Sequence, residues 1–204
     1  MKGDRHQNSA LAPNFRYRAL LLGTLLLSLF TALLPADVDA DLLILGVAGF
    51  LYGFVLVVSL KCRTTITRAV IGVLILGLAN YPGLWYLLIA LQQITGKSNV
   101  ILVFPALVGA AFTVVVLKWL WTVPISFLRA IVLIVSVFPA GFYWYWFNVS
   151  DHGDLVAPTE WLVTIIEILW WWGFTLGLVL SDQSARLSRT REAPTQSKPD
   201  GNAA

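Results

Sequence analysis

The sequence predicts an all-α membrane fold: a polytopic bundle of six transmembrane helices with both termini on the cytoplasmic side. Three observations lead there. Apolar residues make up 58% of the chain and charged residues 12%, about half the charged share of a soluble domain. Mean hydropathy is +0.77, and the apolar residues fall in six long runs. The basic residues alternate with those runs, as topology demands.

The runs set the expected spans at 19–34, 42–60, 69–91, 100–117, 125–147 and 161–180. Most approach the ~20 residues that a helix rising 1.5 Å per residue needs to cross the hydrocarbon. The first stops before Pro35 and can extend backward over Tyr17 and Arg18, whose guanidinium snorkels to the headgroups. The third is interrupted by Asn80-Tyr81-Pro82-Gly83. The fifth carries Arg129 near its start and Pro139 inside. Residues 1–18 form a basic cytoplasmic tail, 19–182 the helical domain, and 183–204 an expected disordered cytoplasmic extension without apolar periodicity.

Starting inside, the cytoplasmic segments collect 13 of the 14 basic residues, and only Lys97 falls outside. The outer loops hold Asp37, Asp39, Asp41, Asp151, Asp154 and Glu160. One span more or fewer would scramble this order, so the positive-inside rule supports both count and orientation. One alternative is cleavage after Val38-Asp39-Ala40, which would make the first run a signal peptide. Its length favours a retained helix. The expected location is a bacterial inner membrane, and the short loops leave no soluble domain to hold an active site.

Tryptophans gather toward the expected interfaces, Trp119 and Trp121 inside and Trp144, Trp146 and Trp161 outside. Amphipathic rings prefer the headgroup level. Arg63, Arg68, Lys118 and Arg129 are expected to set topology and touch anionic headgroups.

Glu167 is the residue most suggestive of chemistry. A carboxylate inside a span costs on the order of 2–3 kcal/mol even on lenient insertion scales, so it should face the bundle or a cavity. Glu160, Thr164, Glu167 and Trp171 recur at helical spacing and form one stripe. Pro82 cannot donate to the carbonyl of Leu78, nor Pro139 to that of Val135, so both should kink their helices and free an acceptor. With Asn80, Tyr81 and Tyr143, Glu167 outlines a candidate outward-opening pocket between the third, fifth and sixth helices. The same features serve equally to bend and bond neighbouring helices. Gly49 and Gly53, and Gly173 and Gly177, have the GxxxG spacing that lets helix backbones approach. Thr24, Ser28 and Thr31 share one face of the first helix and should hydrogen-bond across to others.

Several chemistries are excluded by residue type. The two histidines, His6 and His152, lie outside the spans, which removes bis-histidine haem and HExxH zinc within the bundle. Cys62 is the single cysteine, so no internal disulfide forms. No P-loop and no pair of intramembrane aspartates is present. No cofactor or metal is expected, and no basic stripe interleaved with aromatics suggests nucleic acid. The expected partners are the lipid bilayer and a membrane protein or second copy of the chain. The leading functional expectation is a non-enzymatic subunit, assembly factor or scaffold acting through helix contacts. A small transporter or ligand-binding subunit using the Glu167 pocket, and a membrane enzyme acting on a lipid or isoprenoid, stay open beside it.

Overall fold

A computed structural model describes residues 16–33, 38–60, 64–78, 104–149 and 160–192. Every regular element among them is helical. Helix α1 spans Tyr17–Leu33, α2 Val38–Leu60 and α3 Ile66–Leu78. Helix α4 spans Phe104–Val115 and runs into a wide π-type turn over Val116–Leu120. Helices α5 (Phe127–Ser136) and α6 (Phe138–Val149) are two halves of one interrupted rod, and α7 spans Glu160–Glu192. Asn80, Tyr81 and Pro82 lie outside the described residues.

Local chemistry explains where these helices start. Helix α2 begins at Val38, ahead of its apolar run. At α3, the Thr65 hydroxyl accepts from the Arg68 N–H (3.4 Å), capping a helix that also starts ahead of its apolar run. Pro105 sits in the first turn of α4, where a missing N–H is harmless. The Ser126 hydroxyl caps α5 through the Arg129 N–H.

Two terminations differ from expectation. The fifth rod does not merely bend: it breaks at Val137, two residues before Pro139. The proline ring and its missing N–H prevent the α-ladder from continuing, and the Ala140 N–H restarts it on the Val137 carbonyl at 3.0 Å. The last helix continues to Glu192, ten residues into the stretch read as a disordered tail. That stretch lacks apolar periodicity, but it holds Ala, Arg, Leu and Glu without a breaker until Pro194. Helix propensity suffices there, and the residue before a proline disfavours the helical conformation.

The π-type turn ends α4 unusually. The Trp121 N–H reaches back to Val116 O at 3.1 Å and the Val123 N–H to Leu117 O at 2.9 Å. Thr122 between them has φ 54°, in the left-handed region. This is a Schellman-like closure widened by one residue, with a β-branched side chain where glycine is favoured. The turn wedges Trp121, fully buried, against α3: its indole N–H donates to Arg68 O at 3.3 Å. A Cβ on Gly72 would collide with that indole. Trp121 is therefore a core residue and not an interface ring, whereas Trp119 is 75% exposed.

The helices close into a ring. Helix α3 packs on α2, α2 on α1, α1 on α7, α7 on α5 and α6, and these on α4, which returns to α3 through the wide turn. The glycine pairs mark the closest approaches. A Cβ on Gly49 would stand 3.2 Å from Gly77 Cα, and one on Gly53 3.3 Å from Val73 Cα, so this pair faces α3. Gly173 and Gly177 face Ser136 and Leu133, at the break of the fifth rod. There the would-be Cβ of Gly173 meets the Ser136 backbone carbonyl.

One stretch, Thr164–Gln183, is long and apolar enough to cross a membrane. Five other described stretches, Tyr17–Leu33, Val47–Leu60, Ile66–Leu78, Ala106–Leu120 and Phe127–Tyr143, are apolar but shorter.

Two stability outcomes follow. Gly173→Ala should destabilise the bundle by about 1–3 kcal/mol, because backbone must move to admit the methyl. Thr122→Gly should stabilise it by about 1 kcal/mol by relieving the left-handed strain. Thermal unfolding of both variants beside the parent protein checks the opposite signs.

Candidate functional site

The polar groups of the described core converge where α1, α2 and α7 meet. Thr24 from α1, Tyr52 from α2 and Thr175 from α7 are all buried. Thr24 Oγ1 and Thr175 Oγ1 lie 3.0 Å apart, as do Tyr52 OH and Thr175 Oγ1. Tyr52 OH also stands 3.4 Å from Trp171 O. The Thr24 hydroxyl donates to Leu20 O within its own helix, at 2.9 Å.

Counting protons orients this chain. Each hydroxyl has one hydrogen to give. The hydrogen of Thr24 is committed to Leu20 O, so Thr175 must donate to Thr24. Tyr52 then shares its one hydrogen between Thr175 Oγ1 at 3.0 Å and, at the longer distance of 3.4 Å, Trp171 O. The direction is Tyr52 to Thr175 to Thr24 to the α1 backbone, with every link supplied. The sequence places these groups with economy. Tyr52 follows Gly49 and precedes Gly53, and Thr175 sits between Gly173 and Gly177.

Three consecutive tryptophans extend the junction. Successive residues on an α-helix diverge by about 100°, so Trp170, Trp171 and Trp172 point to three different neighbours. The Trp170 indole N–H donates to Ala106 O on α4 at 3.0 Å. Trp171 stacks on Tyr52 with centroids 6.2 Å apart. The Trp172 N–H donates to Ser28 Oγ on α1 at 3.1 Å, and Ser28 in turn donates to Thr24 O at 2.8 Å. Trp170 also stacks on Phe174 (5.5 Å) and meets Tyr52 edge-on (5.9 Å). One turn of α7 thus bonds to α1 and α4 and stacks on α2.

Among the sequence-derived candidates, Tyr143 on α6 and Glu167 on α7 are both half-buried. Tyr143 packs beside Ala140 and Ile166, so it lies on the helix pair that carries Glu167. Asn80 and Tyr81 are outside the described residues, and the described part of α3 packs on α2 and the wide turn. Of the hydroxyl face on α1, Thr24 and Ser28 bond across to α7, while Thr31 bonds its own helix at Leu27 O. Arg129, expected at the headgroups, is buried in the first turn of α5, and Phe127 and Leu128 beside it are exposed instead. No group of three or more His, Cys, Asp or Glu stands together among the described residues.

Tyr52 and Thr175 escaped sequence reading because neither looks unusual alone. A tyrosine inside a glycine-spaced helix facing a threonine inside another such helix was the available signal. Comparison with known protein families, with curated proteins and with solved structures finds no match to this chain.

The oriented hydroxyl chain makes a distinct mutational pattern. Tyr52→Phe and Thr175→Val should each cost about 0.5–1.5 kcal/mol, the range for one internal hydrogen bond. The double variant should cost less than the sum, because the shared bond is lost once. A double-mutant cycle by denaturant unfolding measures the coupling, and strict additivity would contradict the bond.

Proposed function

We propose that this chain is an integral membrane protein with six spans and inward-facing termini, acting as a non-enzymatic subunit, assembly factor or scaffold through helix contacts. The observation carrying the membrane reading is the distribution of polarity. Every described helix exposes large apolar side chains: Leu22 and Leu26 on α1, Phe54 and Val58 on α2, Val70 and Leu74 on α3. Phe112 and Val115 on α4, Val132 and Val135 on α5, Phe142 and Trp146 on α6, and Leu176 and Leu180 on α7 continue the belt. Within the helices, the hydroxyls of Thr24, Ser28, Thr31, Ser59, Thr113, Thr175 and Ser181 are buried, and the exposed charged side chains that are described, Arg16, Arg18, Arg68 and Lys118, all lie at one end. Exposing one such apolar side chain to water costs about 1.5–3 kcal/mol relative to burial. A belt of them around the whole bundle favours lipid as the surrounding solvent.

The scaffold reading is supported by how the core spends its polar groups. The bonds of Tyr52, Thr175, Thr24, Ser28, Trp170 and Trp172 join helices to one another. Such a core holds a shape and presents its outer faces to neighbours.

The test has two stages. Alkaline carbonate should leave the protein in the membrane pellet, and reporter fusions at the two tails should both read cytoplasmic. Release into the supernatant, or tails on opposite sides, would overturn the six-span reading. In-membrane crosslinking should then trap the chain with a second copy or with one recurring membrane protein. A strictly monomeric pattern at native expression would remove the scaffold reading.

A second reading draws on Glu167, a half-buried carboxylate in the most apolar part of α7. It makes the chain a small transporter or ligand-binding subunit. Glu167→Gln should then abolish proton-coupled uptake in cells expressing the chain, and unchanged uptake would end this reading.

A further inference from the structure

We propose that one end of the bundle is a collar that selects anionic phospholipid headgroups of the leaflet it meets. This rests on the membrane reading above and adds a lipid preference to it.

Three contacts gather chain ends at one level. The Arg16 N–H donates to Ser59 O at 3.0 Å, joining the start of α1 to the end of α2. The Thr64 hydroxyl donates to Leu120 O at 3.2 Å, joining the approach to α3 to the end of the wide turn. The Trp121 indole N–H on Arg68 O closes the same edge. The side chains of Arg16, Arg18, Arg68 and Lys118 are exposed around this end. The acidic group nearest in register, Asp182, is completely buried. Helix α7 runs antiparallel to α1 and α5, as the successive pairs Thr24–Thr175 and Ser28–Trp172, and Leu133–Gly177 and Ser136–Gly173, show. Asp182 therefore lies toward this end, and Glu167 lies about 22 Å further along the helix. Among the described side chains, the exposed charge here has one sign.

The apolar neighbours identify the partner. Ile66 is 84% exposed, Phe127 82%, Trp119 75% and Leu128 71%. Trp119 is adjacent to Lys118, and Ile66 is two residues from Arg68. A soluble polyanion would neutralise the cations and leave these side chains in water. The boundary between phosphate and acyl chain satisfies both sets: rings and branched side chains enter the ester level while the cations reach up to phosphate. Three of the four cations are arginines, which grip phosphate with two parallel N–H bonds. Arg129 takes no part, being buried beneath Phe127 and Leu128 in sequence order and not beside them on the surface.

Each basic group near an anionic surface contributes about a fivefold preference. The experiment reconstitutes the full chain in phosphatidylcholine vesicles doped with brominated phosphatidylglycerol or brominated phosphatidylcholine, and reads quenching of tryptophan fluorescence. Brominated phosphatidylglycerol should quench more strongly at low salt, and the excess should shrink as salt rises. The combined R16Q/R18Q/R68Q/K118Q variant should lose the excess while keeping quenching by the neutral lipid. Lys118→Gln alone, at an exposed position, should reduce the excess severalfold and covers the case in which the combined variant fails to fold. Trp119→Phe should remove a large part of the phosphatidylglycerol-specific signal. Equal quenching by both lipids, or an excess unchanged in the Gln variants, overturns the collar and leaves the membrane reading intact. Absence of quenching by either lipid overturns the membrane reading itself. Because the vesicles have the same lipid in both leaflets, an inverted insertion does not alter the readout.

Discussion

The hydroxyl of Thr175 accepts from Tyr52 and donates to Thr24, and it does so at the one level where α1, α2 and α7 all meet. In water such bonds contribute little, because solvent competes for each group. In a bundle surrounded by apolar belts, an unmet hydroxyl has no such alternative. The bond chain therefore sets both the rotation and the register of three helices. Sliding α7 by one turn would leave two donors without acceptors. The tryptophans at 170–172 repeat this constraint on three sides, so α7 is tied to α1, α2 and α4 within one turn.

Close approach and hydrogen bonding support one another in this arrangement. Gly173 lets the α7 backbone press against the Ser136 carbonyl, where the fifth rod is broken ahead of Pro139. The break separates α5, which packs beside Gly177, from α6, which packs beside Ile166. At the other side of the ring, Gly49 and Gly53 bring α2 onto α3, and the buried indole of Trp121 seals the end of that pair. Small residues, a proline and one large ring thus share a single task, which is to let rigid helices meet without gaps.

Helix type was legible in the sequence. Long apolar runs between Pro35, Lys61 and Lys118 left little choice, since backbone groups in an apolar setting must bond within their own segment. The end of α7 was not legible from hydropathy, because its last ten residues are helical by propensity and not by pattern. Among candidate residues, Glu167 and Tyr143 could be assigned to helices from the sequence. Tyr52 could not. Its role depends on what stands opposite it, and residue spacing along one helix carries no information about the facing residue on another. Arg129 and Trp121 were misjudged for the same reason. A cation or an indole near a helix end reads as an interface residue until the rotation of that helix is known.

By itself, then, the sequence determined the helical class of the chain and the order of its helices. These follow from local forces: bonding within one segment, proline geometry, capping and charge at helix ends. Only the tertiary structure decided which face of each helix looks inward. That choice turned Trp121 and Arg129 into buried residues, exposed Phe127 and Leu128, and joined Tyr52 to Thr175. It could not be read locally, because on helices apolar nearly all round the hydrophobic pattern does not mark the buried face. Hydroxyls and glycines mark it instead, and they do so only in pairs contributed by different helices.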